Sequence, residues 1–161
     1  MRLCLNCGFV KHTKQRCNCP NCTTLMRQVD GRMRKVAETF TDADLDVVFA
    51  ICDTYTTTDK CNAEIIVGFS NKYDKLLFSK LAEHFKFYQD YRLFPNRYTA
   101  YQVLNYLTIP ESMIIFEYSR PLDDSENVKS KLKEAIRELQ EWATSIKDSG
   151  EWSVCKLRGD F

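Results

Sequence analysis

Cys4-Leu5-Asn6-Cys7-Gly8 and Cys19-Pro20-Asn21-Cys22 decide how the chain begins, because five of its eight cysteines fall within the first twenty-two residues. The two C-x-x-C turns have eleven residues between them. Four thiolates so spaced can converge on one tetrahedral ion, with Zn–S bonds of roughly 2.3 Å. The flanking residues suit such turns. Gly8 accepts a positive φ without steric cost, and Pro20 fixes φ inside the second turn while giving up an N–H. The metal ligands read from this pattern are Cys4, Cys7, Cys19 and Cys22. Cys17 is left out, because Cys17-Asn18-Cys19 is too tight for a standard pair.

Cys4, Cys7, Gly8, Cys19, Pro20 and Cys22 together resemble the zinc-ribbon and rubredoxin-like knuckle families, whose signature is C-x-x-C-G followed by C-P-x-C. The resemblance covers residues 4–22 only and implies a structural Zn2+, with iron the lesser expectation. Two departures stand out: Thr23 where the family usually carries a second glycine, and Cys17 as a fifth thiol. Ribbons of this kind occur in proteins of many functions. The resemblance therefore identifies a metal site and no activity.

With 161 residues, the chain has room for a metal-stapled module and one ordinary domain. The reading divides it into a zinc ribbon over 1–31, a basic linker over 32–40 and an α/β body over 41–161. Some thirty residues bury too little apolar surface to fold alone, which is why such a ribbon needs its ion. No stretch reaches the roughly 18 apolar residues of a membrane span, and Met1-Arg2-Leu3-Cys4 is no secretory signal. Thiolate ligation implies a reducing compartment, cytoplasmic or nuclear.

The overall charge of +1 hides a division. Residues 1–35 hold eight Lys/Arg against Asp30 alone, a net +7, whereas 36–161 hold fifteen against twenty-one acids, a net −6. Four thiolates on a divalent ion would lower the first figure to about +5. Lys11, Lys14 and Arg16 lie on the polar tip between the knuckles, and Arg27, Arg32, Arg34 and Lys35 extend the basic surface.

Within the ribbon, Phe9-Val10 and Leu25–Val29 predict short strands, with Asp30-Gly31 as a turn. Thr41 followed by Asp42, Asp44 and Asp46 predicts the start of a helix whose apolar face is Leu45, Val48, Phe49, Cys52 and Tyr55. Ala63–Phe69 reads as a strand rich in β-branched residues. Helices are predicted over 72–88 and 98–107, a strand over Met113–Tyr118, and a long helix from the Asp123/Glu126 capping box to Lys147. A last strand is predicted over Trp152–Leu157. The fold class is α+β or small α/β: an N-terminal zinc ribbon, then a helix-covered sheet of at least three strands. The long helix between the last two strands predicts that they run parallel.

No P-loop, dinucleotide fingerprint, nucleophile elbow or H-E-x-x-H is present, so the chain is read as non-enzymatic with no small-molecule substrate. His84 reads as a satisfied core histidine and His12 as solvent-facing. Cys52, Cys61 and Cys155 read as buried thiols, and Glu64, Asp74, Glu111 and Glu117 as acids with no metal-binding spacing. The expected function is a regulatory or inhibitory protein that binds nucleic acid through its basic ribbon, since Lys and Arg release counterions from phosphates. The alternatives are a zinc-ribbon adaptor or inhibitor, virus-encoded in its narrower form, that docks on a protein of the transcription or translation machinery, and an iron-containing electron carrier.

Overall fold

The computed structural model describes residues 1–13, 15–95, 109–149 and the backbone of 156–157. Three short strands carry the cysteine turns: β1 (Arg2–Leu3), β2 (Val10–Lys11) and β3 (Arg27–Val29). A 3-10 turn (Gly31–Met33) leads into α1 (Arg34–Asp42). The long hairpin β4 (Val47–Thr56) and β5 (Lys60–Phe69) follows, then β6 (Lys72–Tyr73), a 3-10 turn (Lys75–Phe78) and β7 (Phe85–Tyr88). After the 3-10 turn Tyr91–Leu93 come β8 (Ser112–Pro121), the 3-10 turn Leu122–Asp124, α2 (Ser125–Ser149) and β9 (Lys156–Leu157).

Seven strands form one sheet in the order β2-β1-β3-β4-β5-β8-β7, so the strands of the cysteine turns extend the same sheet as the rest. Every pairing in it is antiparallel except β3 with β4. The fold is thus mixed α+β. α1 and α2 lie against one face, over a core that includes Phe40, Phe69, Phe116, Leu139 and Trp142. Phe40 meets Phe69 and Trp142 edge-on, with ring centroids 5.4 and 5.6 Å apart. The opposite face has its own apolar cluster of Val48, Phe49, Ile66, Phe94, Met113 and Ile115. Gly68 is required on that face, since a Cβ there would lie 2.6 Å from the Phe49 ring and 2.9 Å from Pro110.

Residues 32–40, expected as a basic linker, are helical instead. Asp30 caps the 3-10 turn by accepting from the Arg32 backbone N–H at 3.0 Å. Met33, Val36, Ala37 and Phe40 then recur at helical spacing and are all buried. The predicted helix over Thr41–Tyr55 is corrected as well: Thr41 lies in the last turn of α1, and the run after it is β4. The end of α1 explains the misreading. Leu45 N–H donates to Phe40 O and Asp44 N–H to Thr41 O, while Asp44 takes φ +63°. This left-handed cap uses an aspartate where glycine is usual, so the polar residues that imitate a helix start close a helix.

The helix predicted over 72–88 is also replaced, by β6, the Lys75–Phe78 turn and β7. Asp74 caps that turn through the Leu76 N–H at 2.9 Å. Phe85 and Phe87 alternate along β7 toward the helix-covered core, and Phe87 stacks on Phe78 at 3.7 Å between centroids. β8 runs antiparallel to β5. The last two strands, expected to run parallel in one sheet, lie in different sheets: β8 belongs to the seven-stranded sheet, and β9 pairs antiparallel with β6 in a two-stranded one. The predicted helix over 98–107, and residues 152–155 of the last predicted strand, lie outside the described residues.

Candidate metal centre

The two cysteine turns share one hydrogen-bond pattern. In the first, Cys4 N–H donates to Phe9 O and Gly8 N–H to Cys4 O, each at 2.8 Å. In the second, Cys19 N–H donates to Thr24 O at 2.7 Å and Thr23 N–H to Cys19 O at 2.8 Å. The fifth residue of each turn is left-handed: Gly8 at φ +84° and Thr23 at φ +62°. Glycine holds that conformation freely, whereas a β-branched residue is strained there. Thr23→Gly is therefore expected to stabilise the second turn by about 1 kcal/mol, read as a higher midpoint of thermal or chelator-induced unfolding. An unchanged or lower midpoint would mean that the bond from the Thr23 hydroxyl to Cys22 O, 2.6 Å long, offsets the strain.

The turns bring Cys4, Cys7, Cys19 and Cys22 together, with all four Sγ atoms within 4.8 Å of one another. Cys4 lies 3.4 Å from Cys22, Cys7 3.5 Å from Cys19 and 3.8 Å from Cys22. Four sulfurs at tetrahedral corners about 2.3 Å from a central ion would stand about 3.8 Å apart. The spacing fits that geometry and is far too long for a disulfide. Cys4 and Cys19, the first cysteine of each turn, are buried against Met26; Cys7 is exposed and Cys22 half-buried. Thiolates at these positions suit a soft or borderline ion such as zinc.

The turns polarise the thiols unequally. The Thr24 hydroxyl, the Asn6 side chain and the Thr24 backbone N–H draw Cys22 down to about 6. At Cys7 the Phe9 N–H pulls downward, but the neighbouring thiols, Cys19 foremost, and burial together push it up to about 12. Cys17 stands apart: its thiol lies 3.8 Å from Met26 Sδ, across the short hairpin bridged at Asn18 and Leu25.

The basic residues divide by what they touch. Arg34 donates from Nη2 to Gly8 O at 3.2 Å and from Nε to Glu38 at 2.9 Å, fastening α1 to the first turn. Arg32 engages Asp30 and reaches Cys52 O at 3.1 Å. Arg27 lies 3.9 Å from Asp46. Lys11, Arg16 and Lys35 are exposed, and Lys14 lies outside the described residues. His12 is exposed, while His84 Nε2 stands 2.8 Å from Glu138 Oε2 with its ring against Phe85 and Phe116.

Cys52 and Cys61 are buried in the main core, and burial, with Asp30 beside it, pushes the Cys52 thiol up to about 12. Cys155 lies outside the described residues. One juxtaposition had no signal in the sequence: register places Asp53, Glu64 and Glu117 side by side across β4, β5 and β8. Asp74 instead caps a turn, and Glu111 stands 4.0 Å from Lys72. Among the described residues, the cysteine set alone has ligand atoms gathered closely enough for an ion, and no helix is long and apolar enough to cross a membrane. No family profile, curated protein or solved structure matches this chain.

Proposed function

We propose that this chain is a non-enzymatic zinc protein whose cysteine turns hold a structural ion and offer cations to the phosphate backbone of nucleic acid, in a regulatory or inhibitory role. The convergence of the four thiols within 4.8 Å carries the metal half of this reading. The nucleic-acid half rests on Lys11 and Arg16, which are exposed beside the turns and have no carboxylate partner among the described residues. Lys14 belongs to the same tip by sequence. Arg27, Arg32 and Arg34 are occupied at home, so the freely offered charge is smaller than composition suggests. Binding through so few phosphate contacts is modest, salt-sensitive and indifferent to sequence. A thiolate-held ion calls for a reducing compartment, so this reading assigns the protein to the cytoplasm or a nucleus.

The test is anisotropy titration of short DNA and RNA oligonucleotides at two salt concentrations. Replacing Lys11, Lys14 and Arg16 together by alanine should weaken binding to every sequence. It should also flatten the salt dependence by up to about 0.9 units of slope per lost contact on duplex DNA and about 0.7 on single strands. No measurable binding by the intact protein at the lower salt would overturn the nucleic-acid reading. Recovery of one stoichiometric partner protein, lost in the triple variant, would put protein docking in its place.

A further inference from the structure

β4 is ten residues long, but only its first half is paired on its outer side. β3 reaches Phe49 and Ala50 and stops. Beyond it, Asp30 N–H donates to Ala50 O and the Arg32 guanidinium to Cys52 O. Outward-facing backbone groups alternate along a strand, so Thr54 and Thr56 are the next to face outward. The Asp53 side chain accepts from the Thr54 N–H at 2.8 Å. The Thr54 carbonyl and both backbone groups of Thr56 have no partner among the described residues outside the β4–β5 ladder.

Natural sheets guard such edges with lysine, proline or a bulge. Here the edge reads Asp53-Thr54-Tyr55-Thr56, and the register shift of β4 lies at its other end, between Val47 and Phe49. A groove of about 590 Å³ runs between this edge and the N-terminal half of α2. Thr54 lines it on the strand side, Arg32 at one end, and Lys129 and Lys133 on the helix. A second hollow shares Thr54 and Lys129 and continues past Thr56 to Ser125.

Charge selects the occupant. Lys129 and Lys133 are one helical turn apart on α2, a like-charged spacing that weakens an isolated helix. Lys133 has no carboxylate partner among the described residues, while Arg32, which also lines the groove, is held by Asp30 and Cys52 O. Glu126 is the single acid lining the groove, 3.5 Å from Lys129. A second copy paired edge to edge would set these cations against themselves. Nucleic acid has no strand to add to a ladder.

We propose that the outer half of β4 is a docking edge for an acidic peptide segment in extended conformation. It would add a strand at Thr54 and Thr56, with alternate carboxylates directed to Lys129 and Lys133. Main-chain bonds would supply affinity and the cations would supply selectivity, as in other strand-addition complexes.

The probe is a blocked decapeptide of alternating Thr and Glu, titrated into the full-length, zinc-loaded protein and followed by amide chemical shifts and hydrogen exchange. Saturable shifts centred on Thr54–Thr56, with slowed exchange at the Thr56 N–H, are expected. Lys129→Glu with Lys133→Glu should weaken binding roughly tenfold, as the loss of two surface ion pairs would. Thr56→Pro removes an outward N–H that the β4–β5 ladder does not use, so the protein should keep its zinc and helical signal while losing the peptide. The proposal is overturned if the β4 amides do not move at millimolar peptide. It is also overturned if the Thr/Lys counterpart binds as well, if the Thr56→Pro variant binds normally, or if a single-stranded oligonucleotide moves the same amides instead.

Discussion

Cys19→Ser is expected to release the metal and fray β1 and β2, whereas Cys17→Ser should leave one ion per chain. Cys19 is 2 % exposed, its thiol lies 3.5 Å from that of Cys7, and it shares a small apolar cluster with Cys4 and Met26. That cluster is too small to hold two turns by burial alone. Structural zinc contributes about 10–16 kcal/mol of apparent binding energy in comparable small modules at neutral pH, and among the described residues no fifth thiol joins the cluster to replace Cys19. The Cys17 thiol turns toward Met26 instead. Metal analysis together with amide spectra of residues 1–13 separates the variants. α2 should stay folded in both, since it packs on α1, β5 and β8 rather than on the cysteine turns. Loss of metal from the Cys17 variant with retention in the Cys19 variant would reverse the ligand assignment.

A chain beginning at Val36 is expected to lose cooperative unfolding altogether. The truncation removes Leu3, Val29 and Met33, each 0 % exposed and each part of the main core. Truncating one such side chain to alanine costs about 2–5 kcal/mol. Three together rival the roughly 5–15 kcal/mol by which a domain is stable at all. The deletion also strips β3 from β4, the parallel register of Gln28 with Phe49 and Val29 with Ala50. Circular dichroism and a denaturant titration check this. A sharp transition in the truncated chain would show that residues 36–161 own a sufficient core, and that the cysteine turns are an appendage.

The two expectations draw on different parts of the chain, and so did the legibility of its sequence. The cysteine turns were readable because thiolate spacing is a covalent constraint that tertiary context cannot override. β5, β8 and α2 were readable because their patterns were long and unambiguous: α2 buries Val128, Leu132, Ala135, Leu139, Trp142 and Ile146 along one face. β4 misled because Val48, Phe49 and Cys52 fit a helical face as well as a strand, and only its β-branched run argued for the strand. The preceding Thr41-Asp42-Ala43-Asp44 deepened the error, since a left-handed aspartate cap looks like a helix start. Residues 72–88 failed for another reason. Tyr73, Leu77, Phe78 and Phe85 are all buried, yet they reach the core from a strand, a 3-10 turn and a second strand, so their helical spacing was accidental.

The same limit applies to the charges. Composition counted seven cations as one surface, but Arg34 is spent on Gly8 O and Arg32 on Cys52 O, which only three-dimensional neighbours reveal. The groove beside β4 had no sequence signature at all. It arises because β3 ends halfway along its partner.

X-ray absorption at the zinc edge of the full-length protein, purified without added metal, tests the central claim most directly. Four sulfur neighbours at about 2.3 Å around one zinc per chain are expected, with the signal lost in Cys19→Ser and kept in Cys17→Ser. A protein that carries no zinc, or a zinc whose neighbours are nitrogen and oxygen, would contradict it.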